Sequence, residues 1–133
     1  MNSDKLRSYK MPKILVVDDE RKIRQIYGKL LALEHYEVLE AEGCAAAARL
    51  LIEDQDIQLV LLDINMPVLD GGVLYRMIRM LDAKVKVIVT SAYPLQDQRA
   101  RIERADDYYD KTQGTRVLIE KVRRVLSEKP AAV

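Results

Sequence analysis

The sequence predicts an α/β domain: a doubly wound, five-stranded parallel sheet with helices on both faces. Three observations carry this. Short, nearly continuous apolar runs recur, KILVV at 13–17, IQLVLL at 57–62 and VKVIV at 85–89; that length and pattern suit strands buried on both faces. Strand and helix patterns alternate five times, which calls for right-handed crossovers around a parallel sheet. The runs also end in a narrow set of polar residues, at the carboxyl ends of strands where such sheets bind ligands.

Element by element, Lys13 to Val17 reads as a buried strand and gives way to Asp18-Asp19-Glu20. Ile23, Ile26, Tyr27, Leu30 and Leu31 then recur at helical spacing. Glu37 to Ala41 alternates weakly, as an edge strand does, and Ala45 to Ile52 favours helix by propensity. Ile57 to Leu62 is a second buried run that ends at Asp63. Met66-Pro67 reads as loop geometry, and Asp70-Gly71-Gly72 as a turn into a helix with Leu74, Met77, Ile78 and Leu81 on one face. Val85 to Val89 is the third run, ending in Thr90-Ser91-Ala92. Residues 94–105 are mostly polar; between Pro94 and Arg104 only Leu95, Ala100 and Ile102 offer apolar surface, so a helix there is held weakly. Asp107 to Asp110 is a last short strand, in which alternation sends Tyr108 and Tyr109 to opposite faces, one buried and one exposed. Lys111 follows, and Leu118, Val122, Val125 and Leu126 mark a final helix from Thr115.

The chain of 133 residues suits one domain. Residues 11–126 form it, with 1–10 a loose extension and 127–133 a frayed tail. A formal net charge of +1 argues against a strong pull toward nucleic acid or a membrane surface. No stretch is apolar enough to span a bilayer, and the first ten residues lack the core of a signal peptide. Cys44, the one cysteine, excludes an internal disulfide and fits a reducing, cytoplasmic setting; the alanines after it make it a small packed residue. His35, the one histidine, reads as a surface loop residue.

If the strands are parallel, Asp18, Asp19, Asp63, Thr90 and Lys111 gather at one rim. Three close carboxylates repel unless a cation sits among them. Hard oxygen ligands suit Mg²⁺, which accepts one or two carboxylates plus a phosphate. A carboxylate beside a metal, a lysine and a hydroxyl can take a phosphoryl group, with Asp63 as nucleophile. Asp18 also remains readable as a helix N-cap, and Thr90 as a plain strand residue.

VVDDE, LLDINMP with DG following, VTSA and DYYDK, in that order, resemble the receiver domain of two-component response regulators, over residues 12 to about 126. The resemblance is to the stand-alone, single-domain type, and it implies the flavodoxin-like strand order 2-1-3-4-5. It makes Asp63 the phosphoacceptor for a sensor histidine kinase or phosphotransfer protein. Asp18 and Asp19 become the acidic pair for Mg²⁺, with Asp19 the better placed for direct ligation, and Asn65 offers its backbone carbonyl. Thr90 is the switch hydroxyl, Lys111 pairs with phosphoryl oxygens, and Tyr108 changes rotamer with Thr90. The family's lysine is normally followed by a cis proline; here Thr112 follows. A cis bond at a non-proline costs about 3–4 kcal/mol, so a trans bond and a reshaped loop are expected.

The resulting expectation is a phosphoacceptor, not an enzyme with an external substrate, that catalyses its own Mg²⁺-dependent phosphotransfer and autodephosphorylation. It would act on a downstream protein, or on a second copy of itself, through the fourth helix, the fifth strand and the final helix with Arg123 and Arg124, without direct contact to nucleic acid or membrane. Alternatives are a receiver cut from a larger regulator, a degenerate binding module, and an aspartyl phosphatase of the haloacid dehalogenase type. The last needs a second aspartate two residues after the first, where this chain has Asn65.

Overall fold

A computed structural model describes residues 11–65, 71–81, 84–102 and 104–128. Its order is β1 (Lys13–Val17), α1 (Arg21–Leu33), β2 (Glu37–Ala41), α2 (Cys44–Glu53), β3 (Ile57–Asp63), α3 (Gly71–Leu81), β4 (Lys86–Ser91), α4 (Leu95–Arg101), β5 (Asp107–Asp110), a 3₁₀ turn (Lys111–Gln113) and α5 (Thr115–Ser127). All four strand pairings are parallel, in the order β2-β1-β3-β4-β5. The expected topology is therefore observed. The winding reverses between β1 and β3, and the crevice beyond their carboxyl ends is the ligand position of such sheets. No helix among the described residues is long and apolar enough to cross a membrane.

The period of two in each strand divides the core. Ile14, Val16, Leu59, Leu61, Ile88 and Tyr109 face α1 and α5, where they meet Tyr27, Leu31, Leu118, Val122 and Val125. Leu15, Val17, Val60, Leu62, Val87, Val89 and Tyr108 belong to the opposite cluster, with Ala47 and Leu51 of α2, Leu74 and Ile78 of α3, and Ile102 after α4. Because both faces are covered, the two tyrosines of β5 are both buried, and the expectation that one is exposed is corrected. They do point to opposite faces. Tyr109 meets Tyr27 edge-on with ring centroids 6.4 Å apart.

The amphipathic patterns need two local corrections. Ile26 of α1 and Leu81 of α3 are exposed, so the buried stripes are narrower than the spacing suggests. Cys44 opens α2 with its Sγ 3.7 Å from Met77 Sδ, a packed thiol as expected. His35 lies exposed at the end of α1 in a left-handed conformation, φ 67°. The amides of His35 and Tyr36 close on the carbonyls of Ala32 and Leu31, so the histidine serves as a helix stop where glycine is common. Gly71 is the first residue of α3 rather than part of a preceding turn. The final helix runs one residue past the expected boundary, to Ser127. Residues 1–10, Met66-Pro67, Asp70 and 129–133 lie outside the described residues.

Truncating a fully buried side chain of the central strand should be expensive. Leu59→Ala is predicted to lower the unfolding free energy by about 2–5 kcal/mol in a urea melt. Met80→Ala, at an exposed site on α3, should change it by less than about 0.5 kcal/mol.

Candidate functional site

The register aligns the chemistry. Asp63 pairs with Thr90 across β3 and β4, and Val17 with Leu62 across β1 and β3, which puts Asp18 beside Asp63. Asp18, Asp63, Thr90 and Lys111 each stand an even number of residues from a neighbour in the α1/α5-side cluster: Val16, Leu61, Ile88 and Tyr109. They continue one face of the sheet past its apolar rows. Asp18, Asp63 and Thr90 are buried, whereas Asp19 is exposed.

Oxygens of Asp18, Asp19 and Asp63 lie within 4.8 Å of one another. Lys111 Nζ donates to Asp18 Oδ2 at 2.8 Å and stands 3.5 Å from Asp63 Oδ2. One ammonium thus faces two buried carboxylates, with a third, Asp19, close to both. Backbone amides take the other oxygens: Asn65 N donates to Asp63 Oδ1 and Glu20 N to Asp18 Oδ1, both at 2.9 Å. Asp18 therefore makes a tight turn before α1 and does not cap it; Glu20 holds the N-cap position. Burial pushes the Asp63 carboxyl up to about 6, helped by the charges of Asp18 and Asp19 and opposed by the Asn65 amide and Lys111. Burial works to lower the Lys111 pKa, but the hydrogen bond to Asp18 and the nearby Asp63 carboxylate outweigh it and raise it. Three hard oxygen donors with excess negative charge fit a divalent cation such as Mg²⁺.

The family profile for the response regulator receiver domain matches residues 14–123. This chain belongs to that family. The receiver is 33% identical over 123 residues to the transcriptional regulatory protein AruR of Pseudomonas aeruginosa, covering 87% of this chain and 50% of that protein. It is 38% identical over 117 residues to PrrA of Mycobacterium tuberculosis, covering 86% of this chain and 50% of PrrA. The chain spans about half the length of the curated relatives it matches. Among solved structures it resembles the response regulator TrrA of Thermotoga maritima in complex with Mg²⁺ and BeF, with a TM-score of 0.78 and 34% identity, covering 86% of this chain and 99% of that one. A receiver domain protein from Methanospirillum hungatei superposes with a TM-score of 0.79 at 29% identity, covering 87% and 94% of the two chains.

Tyr108 and the turn after Lys111 lie outside this cluster of carboxylates. Tyr108 packs in the opposite cluster, with its hydroxyl donating to Ile102 O and accepting from Ala105 N at 3.3 Å. After Lys111 there is no cis bond among the described residues, and the turn is capped by Asp110, whose side chain accepts from Thr112 N at 2.9 Å. Three contributors were not apparent from the sequence. Arg24, in the first turn of α1, donates to the Asp18 carbonyl at 2.6 Å. Ser91 Oγ donates to Asn65 Oδ1. Gln98 is fully buried, so the inventory of Leu95, Ala100 and Ile102 for this helix was incomplete. Its spacing from Leu95 and Ile102 was the available signal, since all three fall on one helical face.

The raised carboxyl gives a pH-dependent prediction. An acid whose folded pKa lies above its unfolded value binds more protons when folded, so stability falls as pH rises through that window. For Asp63 the window runs from the ordinary 3.8 to about 6, and the deficit is fully present above it. In chelator, Asp63→Asn should stabilise the protein at neutral to mildly alkaline pH by about 1–3 kcal/mol. Denaturant melts across pH should show that gain vanish as the medium becomes acidic.

Proposed function

We propose that this receiver accepts a phosphoryl group on Asp63 from the phosphohistidine of a sensor histidine kinase or phosphotransfer protein, and that it passes the signal on by a change of surface. The crowding of the Asp18, Asp19 and Asp63 carboxylates, with the Lys111 ammonium against Asp18 and Asp63, supports this reading most. A buried carboxylate at a strand end is costly as a structural device and useful as a nucleophile. The Asp63 oxygen facing Lys111 attacks phosphorus, an O–P bond forms, and the P–N bond to the donor imidazole breaks. Deprotonated Asp63 is the reactive form, and a pKa of about 6 leaves it mostly ionised at neutral pH.

Lys111 pairs with a phosphoryl oxygen, and Thr90, beside Asp63 in the register, offers its hydroxyl to another. Bound Mg²⁺, held by Asp18, Asp19, Asp63 and the Asn65 backbone carbonyl, would neutralise charge on the transferring group. The phosphoryl group adds charge and acceptor oxygens. Thr90 turning toward it would let Tyr108 change rotamer, which alters the surface of α4, β5 and α5. That surface is the proposed contact for a downstream protein or a second copy. The same residues are the proposed site of self-catalysed phosphotransfer and autodephosphorylation, in a cytoplasmic setting, with no direct role in binding nucleic acid. The matched relatives are about twice as long and are named transcriptional regulators, which favours a second reading, a receiver that works within a longer regulator. The phosphatase alternative finds Asn65 where it needs an acid.

Two outcomes are predicted. Acetyl phosphate with Mg²⁺ should add one phosphoryl mass to the protein, and Asp63→Asn or chelator should abolish it. Labelling that persists at an unchanged rate in the variant would move the site elsewhere, and sustained turnover of donor at an enzyme's rate would favour the phosphatase. Lys111→Ala should still fold but label more slowly, by about tenfold or more given the loss of one charge-assisted contact, as read by intact-mass kinetics.

A further inference from the structure

Gln98 is fully buried on α4, a short helix of mostly polar sequence. Its Nε2 donates to two backbone carbonyls, Tyr93 O at 2.9 Å and Tyr109 O at 3.0 Å. Two carbonyl acceptors can be met only by the amide nitrogen, which fixes the orientation of the group. Its Oε1 is then left buried without a hydrogen-bond partner among the described residues. A buried, unmet acceptor is costly and needs a reason.

The two carbonyls belong to different parts of the switch region. Tyr93 follows β4, and its amide donates to Ser91 Oγ at 3.0 Å. Ser91 Oγ in turn donates to Asn65 Oδ1, and Asn65 N donates to the Asp63 carboxylate. Tyr109 lies in β5, and its own hydroxyl donates to Gly114 O at 2.8 Å, at the start of α5. A continuous hydrogen-bonded path therefore runs from Asp63 through Asn65, Ser91 and Tyr93 to Gln98, and from there to β5.

We propose that Gln98 is a positioning residue of the switch, the strut by which a change at Asp63 and the loop after β4 is transmitted to β5 and α5. This rests on Asp63 being the phosphoacceptor. The strut has two donors that are both used and one acceptor that has no partner among the described residues. A shift of α4 that brings a donor to Oε1 would offset part of its own cost, which narrows the gap between two discrete positions of the element.

The test is NMR on the full chain with Mg²⁺ and beryllofluoride. In the wild type, the Gln98 side-chain amide protons should be protected from exchange and should shift when beryllofluoride binds. In Gln98→Met, which keeps length and volume but loses both donors, residues 63–65 should respond as in the wild type. The response at 107–110 should fall by about half or more. A full response at 107–110 in the variant, or unmoved Gln98 side-chain resonances in the wild type, overturns the proposal; the second arm decides it even if the variant does not fold. Absence of any wild-type response at 63–65 would overturn the phosphoacceptor reading and the strut with it.

Discussion

Two carboxylates, Asp18 and Asp63, are buried at the ends of adjacent parallel strands and share one ammonium, that of Lys111. Much else follows from that constraint. An ionised acid in such a place would be expelled or neutralised if it lacked partners. Each of these has a backbone amide two residues on, one from Glu20 and one from Asn65, so the chain must turn sharply just past each strand. Lys111 must leave β5 on the face that carries both acids, which the alternation after Tyr109 provides. The rim that remains is short of positive charge, and the burial of Asp63 raises its pKa as a consequence.

The sheet can carry this load because its interior is apolar on both faces. Leu59, Leu61 and Ile88 are completely shielded, and α1 and α5 close over them with Leu31, Leu118 and Val122. The acids are thus held at the end of a packed core, which suits the proposed role of accepting and holding a phosphoryl group. The opposite face carries α4 on fewer apolar side chains, with a buried amide among them. Stability is therefore uneven: the side nearest α1 and α5 is a packed wall, while the α4 side is secured partly by directional bonds that can be exchanged for others.

Much of this was legible in the sequence because it rests on period and position. The apolar runs fix three of the five strands, and the residues just past them name the rim. Glu37 to Ala41 was harder to read, since an edge strand shows only weak alternation, and its place beside β1 came only from the strand order that the family resemblance implies. What was not legible depends on tertiary closeness. Tyr108 and Tyr109 alternate as expected, but whether a face is wet depends on the helices that cover it, and here both are covered. Gln98 shares a helical face with Leu95 and Ile102, but the carbonyls of Tyr93 and Tyr109 that satisfy its amide in the interior are brought together only by packing. Arg24 reaching the Asp18 carbonyl and Ser91 reaching Asn65 are likewise contacts between separate segments, which no local pattern announces.

On the proposed reading, Asp63 is a buried acid whose charge is fully balanced only when a divalent cation joins Lys111 at the rim. Its side-chain carboxyl ¹³C resonance, followed through a pH titration in chelator and again with saturating Mg²⁺, tests this directly. In chelator the midpoint should lie near the value of about 6 that burial and the neighbouring acids impose. With Mg²⁺ it should fall by about one unit or more, as an adjacent cation favours the ionised form. A midpoint at the ordinary carboxylate value in chelator, unmoved by Mg²⁺, would contradict the account.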